Sequence, residues 1–469
     1  MPSLTHLQHR RSQLLDLLDG PVLLMAGGAR SRNYPDNVFP YRADGSFLFF
    51  FHAPEPDAAA LFDPTDRSVT LFLHERTPEA ALWHGPVPDF AAMKAQHGVD
   101  HVLGLQQLES ETKRRAGQRR VRSLAVADDK ATARARAITG EALHFDDPAR
   151  VGDPALVAAI GKLRLCKSEE EVVTMRIAAR VTQEAHVAAM RATRPGVKEH
   201  EVAGVVEGCF ASHGCVPAYN TILSVRGEVL HNHEHGNVCQ SGDIMLLDAG
   251  AEDVASGYCA DVTRSWPVAG KFTPEQADIY DIVLRAEVAA IGAAKPGARY
   301  RDVHMLASRT IAEGLVDVGL LHGDPDALVE SGAHAVFFPH GVGHLLGIDV
   351  HDMEAFGDAV AYAPGRTRSP QFGSKYLRLD LDLESGMAFT IEPGIYFVPA
   401  ILHNRAFRDQ FRGQVDFERA ERYLGMNEGR GFGGIRIEDD VVCTKDGNEV
   451  LTASIPKERR EVEGLVGKA

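Results

Sequence analysis

The sequence predicts an α/β protein of two domains, and three observations carry that reading. Short apolar runs ("GPVLLMAGG", "SFLFFFHA", "SVTLFLHE") interleave with helical stretches over residues 1–162, as in a self-contained α/β domain. A helix opens sharply at the capping box of Ser168 and Glu171, so a second domain begins near residue 163 and fills 163–469. Within it, "AHVAAMRATRPG" (185–196) recurs without gaps as "AEVAAIGAAKPG" (286–297).

The apolar runs of the first domain are read as strands. The basic segment "RAGQRRVRS" is read as a solvated face. In the second domain, Pro195-Gly196 ends the first helix. The second copy opens with its own capping box, Thr273 with Gln276, and carries Pro274 at the first helical position. Each copy is followed by another helical stretch and then by strands. The echo is consistent with a duplicated helix-helix-strand unit, whose two halves, facing one another, would form a cleft.

Composition sets the limits on function. The chain has 469 residues, long enough for two or three domains and a real core. Its net charge of −15, from 50 basic and 65 acidic residues, argues against nucleic acid or an anionic membrane as partner. No run reaches the ~18 apolar residues of a spanning helix, and the N-terminus lacks the marks of a signal peptide. The six scattered cysteines have no paired spacing and read as reduced, buried residues of a cytoplasmic protein.

The chemistry concentrates in four stretches. In "IMLLDAGAEDVASGYCADVTRSW", Asp248 is in phase with Ile244 and Leu246, and Asp261 with Thr263 and Ser265. Gly257 between the runs suggests a hairpin. Two carboxylates on one face of neighbouring strands need a cation between them or separate hydrogen-bond partners, and this stretch alone supports both equally. In "PHGVGHLLGIDVHD", His340, His344 and His351 cluster. The glycines argue against a helix, and the zincin H-E-x-x-H pattern is absent; they point instead to close backbone approach at a site. "FTIEPGIYF" ends an apolar strand at Glu392. "FGGIRIEDDVVCT" puts Ile435 and Ile437 on one face and Arg436 and Glu438 on the other. Four carboxylates and an imidazole match two divalent cations. The oxygen-rich, thiolate-free set suits Mn²⁺ first, with Co²⁺ or Zn²⁺ tolerated. Such a pair polarises a carbonyl and activates water, which is hydrolytic chemistry.

With these motifs together, the sequence resembles the proline-specific exopeptidases, aminopeptidase P and prolidase, of the pita-bread metallopeptidase superfamily. The resemblance spans nearly the whole chain and rests on "LLDAG", "ADVTRSW", "HGVGHLLGIDVHD", "TIEPGIYF" and "GGIRIEDD". It implies a creatinase/prolidase-type N-terminal α/β domain, 1–162, that caps substrate and oligomerises, and a pita-bread catalytic domain, 163–469. It implies Asp248, Asp261, His344, Glu392 and Glu438 as ligands of two metal ions, with Asp261 and Glu438 bridging. His231, His340 and His351 would hold the substrate carbonyl, Glu392 would carry protons, and Arg436 would lie beside the substrate. "ALWHGP" matches a family tryptophan that a neighbouring subunit lends to the active site, here Trp83, so a homodimer or homotetramer is expected. Arg378 in "KYLRLDLDL" stands where prolidases grip a dipeptide's carboxylate. The implied function is removal of the first residue from peptides with proline in second position. Prolidase activity on Xaa-Pro dipeptides is the alternative, and a non-catalytic binding protein of the same fold a lesser one. Creatinase-type hydrolysis does not use this metal set, and methionine aminopeptidase lacks an N-terminal domain of this size.

Overall fold

The computed structural model describes residues 2–52, 55–75, 77–86 and 88–468. The chain forms two compact units. One runs to Cys166 and takes in Val254–Gly257 and Met353–Val360; the other holds Lys167–Asp253, Tyr258–Asp352 and the chain from Ala361 on.

The first unit is built on a five-stranded sheet in the spatial order His101–Gly104, Ser68–Leu73, Ala59–Asp63, Val22–Met25, Arg122–Ser123. The central pairings are antiparallel and both outer ones parallel. "SFLFFFHA" is not a strand: Gly45–Phe50 is a short helix, with the Asp44 carboxylate accepting from the Ser46 and Phe47 amides. All of its residues are buried. A helix apolar on every side lies inside a core, and a short apolar run does not separate that case from a buried strand. The basic segment is likewise no bare solvated face, since Arg115, Arg119 and Arg120 pair with Glu111, Asp63 and Glu141.

The second unit carries the duplication. Helix Glu169–Ala192 starts at the Ser168/Glu171 capping box and helix Pro274–Ala293 at the Thr273/Gln276 box. Both turn at a Pro-Gly step into a second helix, Glu199–Ser212 and Tyr300–Asp317 respectively. Gly196 and Gly297 have φ of 91° and 84°, left-handed values that a β-carbon opposes. Each helix pair is accompanied by a three-stranded antiparallel sheet. One orders Thr263–Pro267, Ile244–Asp248 and Ile222–Ser224; the other orders Ala388–Ile391, Asp439–Cys443 and Asn448–Val450.

Two local expectations change here. The predicted hairpin is longer: Thr263 pairs with Asp248, while Ala251–Asp253 leaves to pair with Cys215–Pro217, so Asp261 lies just before its strand rather than in it. The predicted single strand through Arg436 and Glu438 is split into Gly434–Arg436, which pairs with Gly394–Tyr396, and Asp439–Cys443, which pairs with Ala388–Ile391. Pro393 explains the split. It has no N–H to give a ladder, so both strands part there, and the break holds Glu392 on one side and Glu438 on the other. Among the described residues no cysteine forms a disulfide, but Cys166 and Cys209 are partly exposed rather than buried.

Candidate active site

The second unit encloses a cavity of about 690 Å³ lined by Asp248, Asp261, His344, Glu392 and Glu438, and also by His231, His340, His351, Arg378 and Arg436. Backbone geometry brings them together. A β-carbon at Gly250 would lie 1.7 Å from the Ala260 carbonyl oxygen, so only glycine lets the two aspartate segments close up. Gly343 has φ of 157°, and a β-carbon there would lie 2.2 Å from the Thr390 oxygen, beside which His344 is seated.

The carboxylates are crowded. The Tyr219 hydroxyl lies 2.5 Å from Asp248 Oδ1 and 2.5 Å from Asp261 Oδ1. One hydroxyl proton serves one of these contacts, so the other demands a further positive charge or proton. Burial, then the Asp248 carboxylate, pushes Asp261 up to about 7. Burial does the same for Glu392, to about 7, and drives Glu438 well above the carboxylate range, with Asp261 adding to the effect. Ordinary side chains meet part of this demand. Arg436 donates to Asp248 Oδ2 at 2.5 Å and to the Tyr396 hydroxyl at 2.8 Å, and Thr263 donates to Glu438 at 2.6 Å.

The imidazoles are oriented for the same centre. His344 Nδ1 donates to the Leu345 carbonyl at 3.0 Å, which leaves Nε2 facing Asp261 Oδ2 at 3.3 Å and Glu392 Oε1 at 3.7 Å. Ligand atoms of Asp261, His344 and Glu438 all lie within 4.8 Å of one another. This oxygen-and-imidazole set, with its excess negative charge, fits divalent ions. His340 Nδ1 contacts the Gly341 carbonyl at 2.8 Å and Nε2 the Tyr396 hydroxyl at 2.9 Å; burial holds the ring down to about 3, hence neutral. Burial, then Arg436, also lowers His231. His351 sits 4.1 Å, centroid to centroid, from His344, with Arg378 Nη1 at 3.0 Å from its Nε2.

Of the site residues expected from sequence, Trp83 alone does not line this cavity. It is 75 % exposed on helix Pro78–His84 of the first unit. Sequence reasoning missed Tyr219, Thr263, Tyr396, and the buried pair Lys167–Asp352, whose Nζ–Oδ2 distance is 2.8 Å. Asp352 directly follows His351 and was the available signal. Tyr219 carried none, since it reaches the centre only through the pairing of Cys215–Pro217 with Ala251–Asp253.

A family model for metallopeptidase family M24 matches residues 173–445, and one for the aminopeptidase P N-terminal domain matches residues 7–123. The chain belongs to metallopeptidase family M24. The M24 assignment covers the whole cavity and implies a pair of divalent metal ions, in agreement with the donor set. The chain is 33 % identical to the Xaa-Pro aminopeptidase of Escherichia coli over 98 % of its own length and 97 % of that protein's. It is 32 % identical to the human Xaa-Pro dipeptidase, over 95 % and 89 %. Among solved structures, Pseudomonas aeruginosa aminopeptidase PepP superposes with a TM-score of 0.81 at 32 % identity, covering 99 % of this chain and 98 % of that one. Zn-substituted E. coli aminopeptidase P in complex with product gives 0.80 at 31 %, with the same coverage. The two-domain α/β fold, an aminopeptidase P N-terminal domain ahead of a pita-bread domain, is common to this M24 chain and those structures. Among the described residues, no helix is long and apolar enough to cross a membrane.

Proposed function

We propose that this chain is an Xaa-Pro aminopeptidase, which hydrolyses the bond between the first residue and a proline in second position. The observation that carries the reading is the meeting of Asp248, Asp261, His344, Glu392 and Glu438 with three further histidines in one cavity of an M24 chain. Similarity to aminopeptidase P extends through the N-terminal domain and favours this reading over the dipeptidase.

Those five residues would hold two ions. Mn²⁺ suits the oxygen-rich donors best, and Co²⁺ or Zn²⁺ are tolerated. When bound, the ions supply Lewis acidity to the scissile carbonyl and acidify water. The rest falls to side chains of this chain. Glu392 takes a proton from the attacking water and passes it to the departing proline nitrogen, with His340 Nδ1 at 3.8 Å from Glu392 Oε2 to assist. His231 and His351 donate to the carbonyl oxygen as charge develops on it. Arg436, tied to Asp248 and Tyr396, borders the substrate and keeps the aspartate oriented. An Xaa-Pro bond has no N–H to donate, and this site asks for none.

The proposal extends to setting. The absence of disulfides among the described residues accords with the cytoplasm. The exposed Trp83 is an apolar side chain that a dimer or tetramer would cover, with residues 1–162 as the capping and assembly domain.

One observation favours the dipeptidase instead: Arg378 lines the cavity beside His351, placed to grip a carboxylate. A peptide panel tests the main reading. The Mn²⁺-loaded protein should release alanine from Ala-Pro-Ala-Ala and leave Ala-Ala-Ala-Ala intact; equal cleavage of both would refute proline specificity.

A further inference from the structure

Outside the catalytic cavity, three donors of different chemistry converge on the helix hairpin turned by Pro195-Gly196. Glu184 comes from helix Glu169–Ala192. Cys209 comes from the last turn of helix Glu199–Ser212, and His213, one turn on, caps that helix. One ligand atom from each lies within 4.8 Å of the others, and none of the three lines the cavity described above.

The hydrogen bonding of His213 makes the arrangement informative. Its Nδ1 lies 3.0 Å from the Cys209 carbonyl oxygen, which only accepts, so Nδ1 carries the proton. Nε2 of the neutral ring is then an acceptor, and it faces Glu184 Oε2 at 3.1 Å. Two acceptors at that distance need a cation between them. A proton on Nε2 would satisfy the histidine and the glutamate but gives the thiol no part. A divalent ion satisfies all three, with the Cys209 Sγ–H giving up its proton to solvent as the metal–sulfur bond forms. The Cys209 carbonyl also supplies the support that metal-bound imidazoles ordinarily have, fixing the tautomer and the ring plane.

We propose that Glu184, Cys209 and His213 form a binding site for a thiophilic divalent cation of the Zn²⁺ class, distinct from the catalytic pair. One thiolate, one imidazole and one carboxylate leave a tetrahedral ion one open position for water. The thiolate separates this site from the catalytic one, whose donors are oxygens and a single imidazole, and it selects Zn²⁺ or Co²⁺ over Mn²⁺. Burial, then the Glu184 carboxylate, holds the Cys209 thiol above its usual range, so in the absence of metal the site is a protonated thiol beside the His213–Glu184 pair.

Full-length protein whose catalytic site has first been filled with Mn²⁺ provides the test, with Co²⁺ as the probe. Thiolate-to-cobalt charge-transfer absorption in the near ultraviolet should rise and saturate at about one equivalent. Cys209→Ser should abolish it, His213→Gln should weaken Co²⁺ binding by ~10-fold or more, and Asp261→Ala should keep it. A second measurement needs no variant: Zn²⁺ should slow alkylation of Cys209 by iodoacetamide, while Cys166, the other partly exposed thiol, reacts at its unchanged rate. No charge-transfer band in the wild type, the same band in Cys209→Ser, or equal alkylation of Cys209 with and without Zn²⁺ would overturn the proposal.

Discussion

Lys167 Nζ donates to Asp352 Oδ2 at 2.8 Å, and both side chains are only 1 % exposed. The pair ties the start of the second unit to the residue after His351. Around it the loop is close-set: the Asp352 amide bonds to the Leu345 carbonyl, and a β-carbon at Gly347 would lie 2.6 Å from the Asp352 carboxylate. Lys167→Met would take the counter-charge from a buried carboxylate, which costs about 3–5 kcal/mol. The variant should unfold at lower denaturant and lose kcat as His351 shifts. Combining it with Asp352→Leu should restore most of the stability but not the activity. Chemical denaturation of the two single variants and the double variant checks this, and additive losses would count against the coupling.

Four crowded carboxylates make the metal content the next test. Chelation should abolish activity, and Mn²⁺ or Co²⁺ should restore it. Asp261→Ala should lose both catalytic ions together, because the Asp261 carboxylate lies among the ligand atoms of His344 and Glu438. Elemental analysis of Mn²⁺-loaded wild type and variant reads this out, and equal manganese in the two would contradict the ligand assignment.

His351 is expected to act on the reacting carbonyl rather than on metal retention. His351→Ala should keep its manganese while kcat drops ~10²-fold or more, the usual loss for a donor to a developing oxyanion. The informative pairing is metal content with kcat on the same sample; loss of activity together with loss of metal would assign the residue differently.

Arg378 separates the two peptide readings. A bidentate grip on a carboxylate is worth most when that carboxylate stands at a fixed distance from the scissile bond, as in a dipeptide. If the residue has that task, Arg378→Ala should raise KM for Ala-Pro strongly and leave Ala-Pro-Ala-Ala nearly unchanged. Unchanged kinetics on both would make it a neighbour of His351 and no more.

His304 and His334 predict a pH effect on stability. Both are buried; burial, then the neighbouring His334 and Arg301, lowers His304 to about 3, and burial lowers His334 to about 4 against a backbone hydrogen bond with Leu328 that raises it. Among the described residues, neither ring nitrogen of His304 has a hydrogen-bond partner. The folded values lie below the unfolded value of about 6.5, so the unfolded chain binds more protons. Their contribution is therefore complete above about pH 6.5 and is lost as pH falls, towards about 4 for His334 and about 3 for His304, by at most ~1.4 kcal/mol per pH unit for each ring. Denaturation midpoints of wild type and His304→Leu between these pH values should show the flatter dependence in the variant. Parallel curves would contradict the neutral, buried assignment.

Much of this was legible in the sequence because it was local. Capping boxes at Ser168 and Thr273 announce the two long helices, and the repeated Pro-Gly announces the duplication. The cavity carboxylates stand out as charges at apolar strand positions. Longer-range facts left no local mark. Tyr219 meets Asp248 and Asp261 only through sheet pairing, and the run before Phe51 is helical because Asp44 caps it inside a core. The break that presents Glu392 and Glu438 needs Pro393 read against a partner strand that lies far away in sequence. Cys209 looks inert until Glu184 and His213 are seen around it.

The most direct test of the central claim is product analysis of Ala-Pro-Ala-Ala incubated with the wild-type protein, first stripped by chelation and then reloaded with Mn²⁺. The stripped protein should give no product, and the reloaded one free alanine with Pro-Ala-Ala. Intact tetrapeptide after reloading, with Ala-Pro cleaved under the same conditions, would contradict that claim in favour of a dipeptidase.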